Sequence, residues 1–178
     1  AGDSPGLGNP VYVAQKTGIY DVCQKYNIPF VAFKKIKKIS FSEGKKVKSF
    51  EIAEEITGIN KIVSLPKVKT HGMAVFTGGM KNLFGLVPGK IKVLWHNRMP
   101  DLDDFSEMIV DLNELLKPSF CISDAIYAQE GNGPRSGNPF YCGSLIMSPS
   151  LFLADLLAAV MIGHRKIDNI PIISHYGK

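Results

Sequence analysis

Cysteine is scarce in this sequence, and the cysteines present do not form a cluster motif. The three are Cys23, Cys121 and Cys142, and no two of them form a CxxC pair. Their spacing excludes a zinc knuckle or a ferredoxin-type iron–sulfur motif within the chain. An odd, sparse count also disfavours a disulfide framework. We therefore predict three buried free thiols.

Long hydrophobic runs are also missing. The longest, residues 151–163, is shorter than the roughly 18 residues that a membrane-spanning helix needs, and Asp155 interrupts it. We predict a buried helix there and no membrane partner. The start, AGDSPGLGNP, is small and polar and does not resemble a signal peptide, so the expected location is the cytoplasm.

Negative charge is in deficit, with 16 Asp and Glu residues against 21 Lys and Arg residues. Much of the excess lies in one lysine-rich segment, which contains Lys34, Lys35, Lys37, Lys38, Lys45, Lys46 and Lys48. We interpret the segment as a solvated hairpin. Nucleic-acid binding is disfavoured because it favours arginine and exposed aromatic platforms, whereas Phe33 and Phe41 fit a strand pattern and are expected to face inward.

The composition is that of a globular domain, with 178 residues, 45% of them hydrophobic and 21% charged. Periodicity and punctuation predict helices over 14–26, over 101–117 and from residue 151, and strands over 30–33, 39–41, 47–50, 61–66, 120–125, 141–148 and 171–174. Residues 51–57 fit either a helical turn or a strand extension. The fold class expected is α/β, with a mixed central sheet flanked by helices, as one domain that lacks its N-terminal portion.

The chemistry concentrates in residues 65–89, LPKVKTHGMAVFTGGMKNLFGLVPG. Lys67, Lys69 and His71 alternate in an extended run and therefore share one face of a strand. Three basic groups on one face are costly unless a phosphate, a carboxylate or an acidic side chain compensates them. This row predicts a site for a small anionic ligand.

The glycine-rich turn that follows allows two interpretations. Thr77 can cap a short helix that Gly85 ends. Alternatively, the unpaired amides of Gly78 and Gly79 can cradle an anion, with Lys81 adding charge. The turn satisfies neither GxxxxGK[ST] nor GxGxxG.

Polar residues elsewhere are candidates to face this stretch. Asp124 ends a predicted strand, where α/β proteins place ligands, and Glu130 and Asn132 lie in a glycine-rich loop. Asp3 is either a ligand at a strand end or part of an ordinary turn. We expect the loops that carry these residues to meet residues 67–81 at one edge of the sheet.

Two further residues stay open. Asp155, inside the buried helix, either caps a neighbouring backbone group or points at the site. His96, beside Trp95, belongs either to a pocket wall or to ordinary packing.

The 65–89 stretch resembles the hallmark segment of the family called domain of unknown function 362. Residues 122–126 (ISDAI) and 130–134 (EGNGP) fit its second hallmark, GDSPG near the start fits an earlier one, and the helix with Asp155 a later one. The similarity covers essentially the whole chain. Ser150 departs from the family pattern, which usually has Asp there, and members usually carry a portion ahead of GDSPG.

The resemblance implies a redox role, because many members carry separate four-cysteine modules and the family is often labelled iron–sulfur-associated. The label does not transfer to this chain directly, since its own cysteines cannot form the cluster motif. Our first hypothesis is a redox-linked enzyme domain with His71, Asp124 and Glu130 in catalytic roles, the two acids serving as acid–base groups or binding a cation. Its ligand-binding residues would be Lys67, Lys69, Thr77, Gly78, Gly79, Lys81, Asn82 and Asn132. The alternative is a non-catalytic scaffold or electron-transfer domain that docks an acidic ferredoxin-like protein on its lysine-rich hairpin. The sequence assigns no cofactor and no metal ligand.

Overall fold

A computed structural model describes residues 1–6, 8–72, 74–134 and 136–176. The N-terminal part begins with a short parallel pair of strands, β1 (Gly2–Asp3) and β2 (Val31–Ala32). Between them lie two helices, α1 (Pro10–Lys16) and α2 (Ile19–Lys25). The prediction of one helix over 14–26 was wrong because Gly18, at φ 75°, turns the chain into the left-handed region.

The lysine-rich hairpin is confirmed. Strands β3 (Ile36–Ser40) and β4 (Ser49–Ala53) pair antiparallel, and a 3₁₀ turn, Glu54–Ile56, follows. The ambiguous 51–57 segment is therefore a strand extension and then a helical turn. Phe33 is buried and Phe41 is packed against the core, so both face inward as expected.

The central sheet is mixed, as predicted. Its strands are β5 (Val63–Ser64), β6 (Lys67–His71), β7 (Val75–Thr77), β8 (Phe120–Glu130) and β9 (Asn138–Ser148). The long β8 lies in the middle, parallel to β5 and β6 on one side and antiparallel to β9 on the other. β7 pairs antiparallel with β6.

Two strand predictions were too long, and those over 120–125 and 141–148 were too short. The predicted strands over 61–66 and 30–33 shrink to the two-residue β5 and β2. The predicted 120–125 strand instead continues to Glu130, because pairing with β9 carries it past the polar residues that resembled a loop. Asp124 therefore lies in mid-strand rather than at a strand end.

The helices that complete the fold are α3 (Gly79–Asn82), α4 (Gly89–Arg98), α5 (Leu102–Leu116), α6 (Leu151–Met161) and α7 (Pro171–His175). Helix α5 is the predicted scaffold helix and buries Phe105, Met108 and Leu112 completely. The predicted strand over 171–174 is wrong, since Pro171 occupies the first turn of α7.

The core is continuous from the hairpin to α6 and α7. All three cysteines are free, with Cys23 and Cys121 buried as predicted and Cys142 only half-buried. No helix in the described part of the chain is long and apolar enough to cross a membrane.

Candidate functional site

A cavity of about 390 Å³ opens where the loop after β1 meets β6, α3 and α4. Its charged and ionisable side chains are Asp3, Lys69 from β6, Lys81 from α3, and Lys92 and His96 from α4. The rest of the lining is provided by Gly6, Thr77, Asn82, Phe84, Gly85 and Val93. Three lysines thus face a single carboxylate in one concave space.

Close backbone contacts hold the walls of this cavity together. The Ser4 amide donates to the Gly85 carbonyl at 3.0 Å, and the Lys92 ammonium donates to the Ser4 carbonyl. A Cβ at Gly89 would lie 2.6 Å from the Pro5 carbonyl oxygen, so only glycine permits α4 to begin against this loop. The GDSPG loop is therefore a structural wall of the cavity as well as the source of Asp3.

Lys81 is the least compensated cation of the cavity. Burial, followed by the neighbouring charges of Lys69 and Lys92, lowers the pKa of Lys81 to about 8. Burial also lowers the pKa of Lys69 and of Lys92, but Asp3 acts in the opposite direction on both. The pKa of Asp3 is raised by burial, against the influence of Lys92 and Lys69. Asp3 therefore compensates two of the three lysines and not the third.

Two neutral histidines lie beside these lysines. Burial, then Lys81 and Lys69, lower the pKa of His71 to about 4. The pKa of His96 is lowered by burial and by Lys81 and Lys92. His71 accepts a hydrogen bond from the Ala74 amide at its Nδ1, at 3.0 Å, and His96 stacks on Phe105 with 4.9 Å between ring centroids. His96 lines the cavity, whereas His71 is not part of the lining.

Two buried polar atoms on the cavity residues lack a hydrogen-bond partner within the described chain. They are the Thr77 hydroxyl and the Nδ1 atom of His96. Buried polar atoms are almost always paired in folded proteins. Both atoms are shielded from solvent as well, so they are unpaired groups within the cavity wall.

The glycine turn differs from both interpretations of the sequence. Gly78, not Thr77, precedes α3, and the helix runs into a 3₁₀ turn, Leu83–Leu86, instead of ending at Gly85. The carboxylate of Asp155 accepts from the Gly79 amide at 2.5 Å and from the Met80 amide at 2.9 Å. The predicted anion cradle is thus filled by the protein's own buried carboxylate.

Glycine is required at positions 78 and 79 because Asp155 and Cys121 lie very close to the backbone of the turn. A Cβ on Gly78 would lie 2.6 Å from Cγ of Asp155, and one on Gly79 would lie 2.7 Å from Sγ of Cys121. Burial raises the pKa of Asp155 to about 7, while its two amide donors act in the opposite direction. Asp155 therefore caps a neighbouring backbone, which was one of its two predicted roles.

The remaining candidates lie outside the cavity. Lys67 forms an exposed ion pair with Asp124 instead of joining Lys69, and the pairing of β6 with β8 shifts register between these lysines. Glu130 and Asn132 belong to the far end of β8 and its turn, which Thr70 holds through a 2.9 Å bond to the Gly131 carbonyl. Of the predicted residues, the cavity unites Lys69, Thr77, Lys81 and Asn82 with Asp3.

Lys92 was missed by the sequence reasoning. A helical interpretation of residues 89–98 would have placed Lys92 and His96 on one face, because residues four apart are neighbours on a helix surface.

In the described part of the chain, no group of three or more His, Cys, Asp or Glu side chains is placed to hold a metal ion.

Comparison with known proteins gives two matches. The model of the family described as Domain of unknown function (DUF362) matches residues 1–160. A protein of Synechocystis sp. named Thylakoid-associated protein sll1697 is 36% identical over 157 residues, which cover 88% of this chain and 48% of that protein. The chain therefore spans about half the length of this relative. No solved structure is significantly similar.

Proposed function

This chain belongs to the DUF362 family, and we propose that its cavity binds a small anion with two or more negative charges. A phosphate ester or a dicarboxylate has the required charge. The observation that carries the proposal is the set of three lysines, Lys69, Lys81 and Lys92, around one cavity in which Asp3 is the only carboxylate among the described residues.

The energetic argument starts from Lys81. Lowering its pKa from 10.5 to about 8 corresponds to roughly 3 kcal/mol that the folded protein loses by keeping this ammonium charged. Such a cost is expected in a binding site and unusual in a purely structural position. A bound anion would offset it by restoring the favourable charge balance of the cavity.

Size and lining are consistent with a small ligand. About 390 Å³ lies within the range of roughly 300–1,000 Å³ typical of small-molecule sites. Thr77, Asn82 and the His96 ring add polar side chains to the lining, and Phe84 adds an apolar wall. The anionic group would be held by point charges rather than by the Gly79 amide, which Asp155 occupies.

The test compares ligand-induced thermal stabilisation among charge-neutralised variants. Phosphate, pyrophosphate and citrate are added to the protein at constant ionic strength, with chloride as reference. Ligand at 100 times its Kd stabilises a folded protein by about 2.7 kcal/mol. We expect this stabilisation in the wild type and its loss in Lys69→Gln, Lys81→Gln and Lys92→Gln.

Two matched controls separate the cavity from general charge. Lys67→Gln removes the same charge from the same strand as Lys69, and Lys90→Gln removes it from an exposed position of the helix that carries Lys92. Both should keep the wild-type response. Equal responses in all five variants, or none in the wild type, would exclude the cavity as an anion site.

The catalytic and redox parts of the sequence hypothesis stay predictions. Asp124, Glu130 and His71 are not part of the cavity lining, which leaves His96 as the acid–base candidate within it. The cytoplasmic location and the iron–sulfur association also stay predictions; cell fractionation checks the first and a metal scan of the purified protein the second.

The alternative function, docking of an acidic ferredoxin-like partner, has one supporting observation. Lys34, Lys35, Lys37 and Lys38 are exposed along β3 and its approach. Lys46 is already paired with Asp104 and Glu107, and Lys48 donates to two carbonyls of the hairpin turn, so these two contribute less. Lys37→Glu combined with Lys45→Glu should abolish salt-sensitive binding to an acidic ferredoxin, and unchanged binding would remove this alternative.

A further inference from the structure

We infer that Lys81 is a nucleophile, whose ε-amine condenses with the carbonyl group of a small substrate that also carries a carboxylate or a phosphate. The product is an imine between Nζ of Lys81 and the substrate carbon. This inference rests on the proposed anion site and adds a reaction to it.

The three lysines of the cavity are not equivalent. Lys92 donates a hydrogen bond to the Ser4 carbonyl, and the Asp3 carboxylate favours the charged form of both Lys69 and Lys92. Within the described chain, Lys81 has neither an ion pair nor a hydrogen bond to its ammonium; Nζ lies over the Phe105 ring, 5.9 Å from its centroid. Lys69 and Lys92 are therefore cations suited to bind an anion, whereas the amine of Lys81 has no hydrogen-bond acceptor within the described chain.

An amine in this position is activated for attack on carbonyl groups. Lysines become nucleophilic when they are desolvated or lie next to other cations, and Lys81 meets both conditions. With its pKa at about 8, about one molecule in ten carries the free amine at pH 7, against about one in three thousand for an ordinary lysine. Lys69 and Lys92 would hold the carboxylate or phosphate and so present the carbonyl to Nζ.

The reaction needs a group that moves protons, and His96 is placed for it. His96 lines the same cavity, stacks on the same Phe105 ring that Lys81 approaches, and has an unpaired Nδ1. Its pKa is lowered by burial and by Lys81, so the ring is neutral and can accept a proton.

The step balances without an oxidant or a reductant. The Nζ lone pair forms a bond to the carbonyl carbon while the C=O π electrons move to oxygen. His96 transfers one proton from the attacking nitrogen to that oxygen, which gives a neutral carbinolamine. His96 then transfers the second nitrogen proton to the hydroxyl, which leaves as water while the nitrogen lone pair forms the C=N bond.

The experiment traps the imine. The protein is incubated at pH 8 with pyruvate, with glyoxylate or with pyridoxal 5′-phosphate, in the presence of sodium cyanoborohydride, and adducts are located by peptide mass mapping. We expect Lys81 to be modified at least tenfold faster than the exposed Lys90. The carboxylate probes and the phosphate probe together show which anionic group the cavity prefers.

Substitutions and the pH dependence of the labelling rate distinguish a specific reactive site from the general reactivity of lysine side chains. Lys81→Arg keeps the charge but removes the reactive amine, so it should retain stabilisation by phosphate and lose the adduct. His96→Gln should slow trapping by a larger factor than it weakens phosphate binding, because the ring is needed for proton transfer and the lysines supply the charge that holds the anion. The rate at Lys81 should be half-maximal near pH 8, whereas the rate at Lys90 should still be rising at pH 10.

The outcomes separate this inference from the proposed function. Phosphate stabilisation without selective labelling of Lys81 would overturn the inference and leave the anion site intact. Absence of both would overturn both. Selective labelling that inorganic phosphate blocks, with a midpoint near pH 8, would support both.

Discussion

Replacing Lys81 with methionine should stabilise the protein at neutral pH in the absence of an anionic ligand. Methionine keeps the length and apolar stem of lysine but removes the ammonium. In the folded protein that ammonium is buried beside Lys69 and Lys92, without a compensating carboxylate. The substitution therefore removes the unfavourable free energy of burying a charged ammonium in the cavity.

The size of the effect follows from the pKa of Lys81, which is 10.5 as the ordinary value and about 8 in the fold. Because the folded-state pKa is the lower one, the charged form is disfavoured by folding, and stability rises as the pH increases from about 8 towards 10.5. Linkage gives a cost of roughly 3 kcal/mol at pH 7, about 2 at pH 9 and about 1 at pH 10. The gain from Lys81→Met should shrink along the same series.

The assay is urea unfolding of both proteins at pH 7, 9 and 10 in a chloride buffer free of phosphate and carboxylates. Lys90→Met, at an exposed position of α4, is the matched control and should change the unfolding free energy by less than about 0.5 kcal/mol. Adding phosphate at pH 7 should stabilise the wild type and so reduce the difference in unfolding free energy between the wild type and Lys81→Met. A destabilised Lys81→Met protein, or a gap that is the same at all three pH values, would refute the reasoning.

Other positions give simpler expectations, each measured by urea unfolding. Gly79→Ala should cost about 1–3 kcal/mol because its Cβ would press on Cys121, whereas Gly6→Ala, with nothing within 4 Å, should cost little. Asp111→Ala should cost about 3 kcal/mol or more because it strips acceptors from the amides of three consecutive hairpin residues, 45–47. Lys67→Gln should change stability by less than about 1 kcal/mol, since its ion pair is exposed.

The elements that could be predicted from the sequence are those with strong local periodicity. Helix α5 has an apolar stripe, acids in its first turn and Pro118 after its end, and the structure begins and ends it within a residue of the prediction. The β3–β4 hairpin follows from alternation around a glycine-containing turn. In both cases, burial of one face selects the same structure that the local pattern favours.

The errors lie where a distant contact decides. The polar residues 127–130 resemble a loop, yet pairing with β9 extends β8 through them. Pro171 begins a helix in a segment whose isoleucines favour a strand. In each case the contacts that select the structure are made with residues distant in the sequence, so local propensity does not predict it.

The candidate site shows the same contrast between residues predicted from local patterns and residues positioned by distant contacts. Alternation along β6 places Lys69 opposite the buried Val68, and Lys69 lines the cavity. The amide cradle was misassigned because its occupant, Asp155, lies 76 residues away from Gly79 in the chain. Lys92 was overlooked because the hydrophobic pattern of residues 89–98 is too weak to indicate which face of a helix is buried.

Asp155 links the buried core to the cavity, and its substitution tests that link. Helix α3 has only four residues, far too few to be stable alone, so the position of its third residue, Lys81, depends on the carboxylate that accepts from Gly79 and Met80. Asp155→Asn replaces one acceptor oxygen with an NH₂ group that faces an amide donor. We therefore expect weaker stabilisation by phosphate, because Lys81 is held less firmly. Ser150→Ala, which removes only the cap of α6 itself, should leave the phosphate response unchanged.

The pH dependence gives the same substitution a second, independent readout. The pKa of Asp155 is raised by burial from 3.8 to about 7, so the folded state binds a proton that the unfolded state has released. The stability of the wild type relative to Asp155→Asn should therefore fall as the pH increases from about 4 to 7 and then level off. Paired unfolding curves at pH 4.5, 6 and 8 measure this difference. A constant difference would mean that Asp155 keeps an ordinary pKa in the fold, and an unchanged phosphate response would mean that α3 holds Lys81 in place without it.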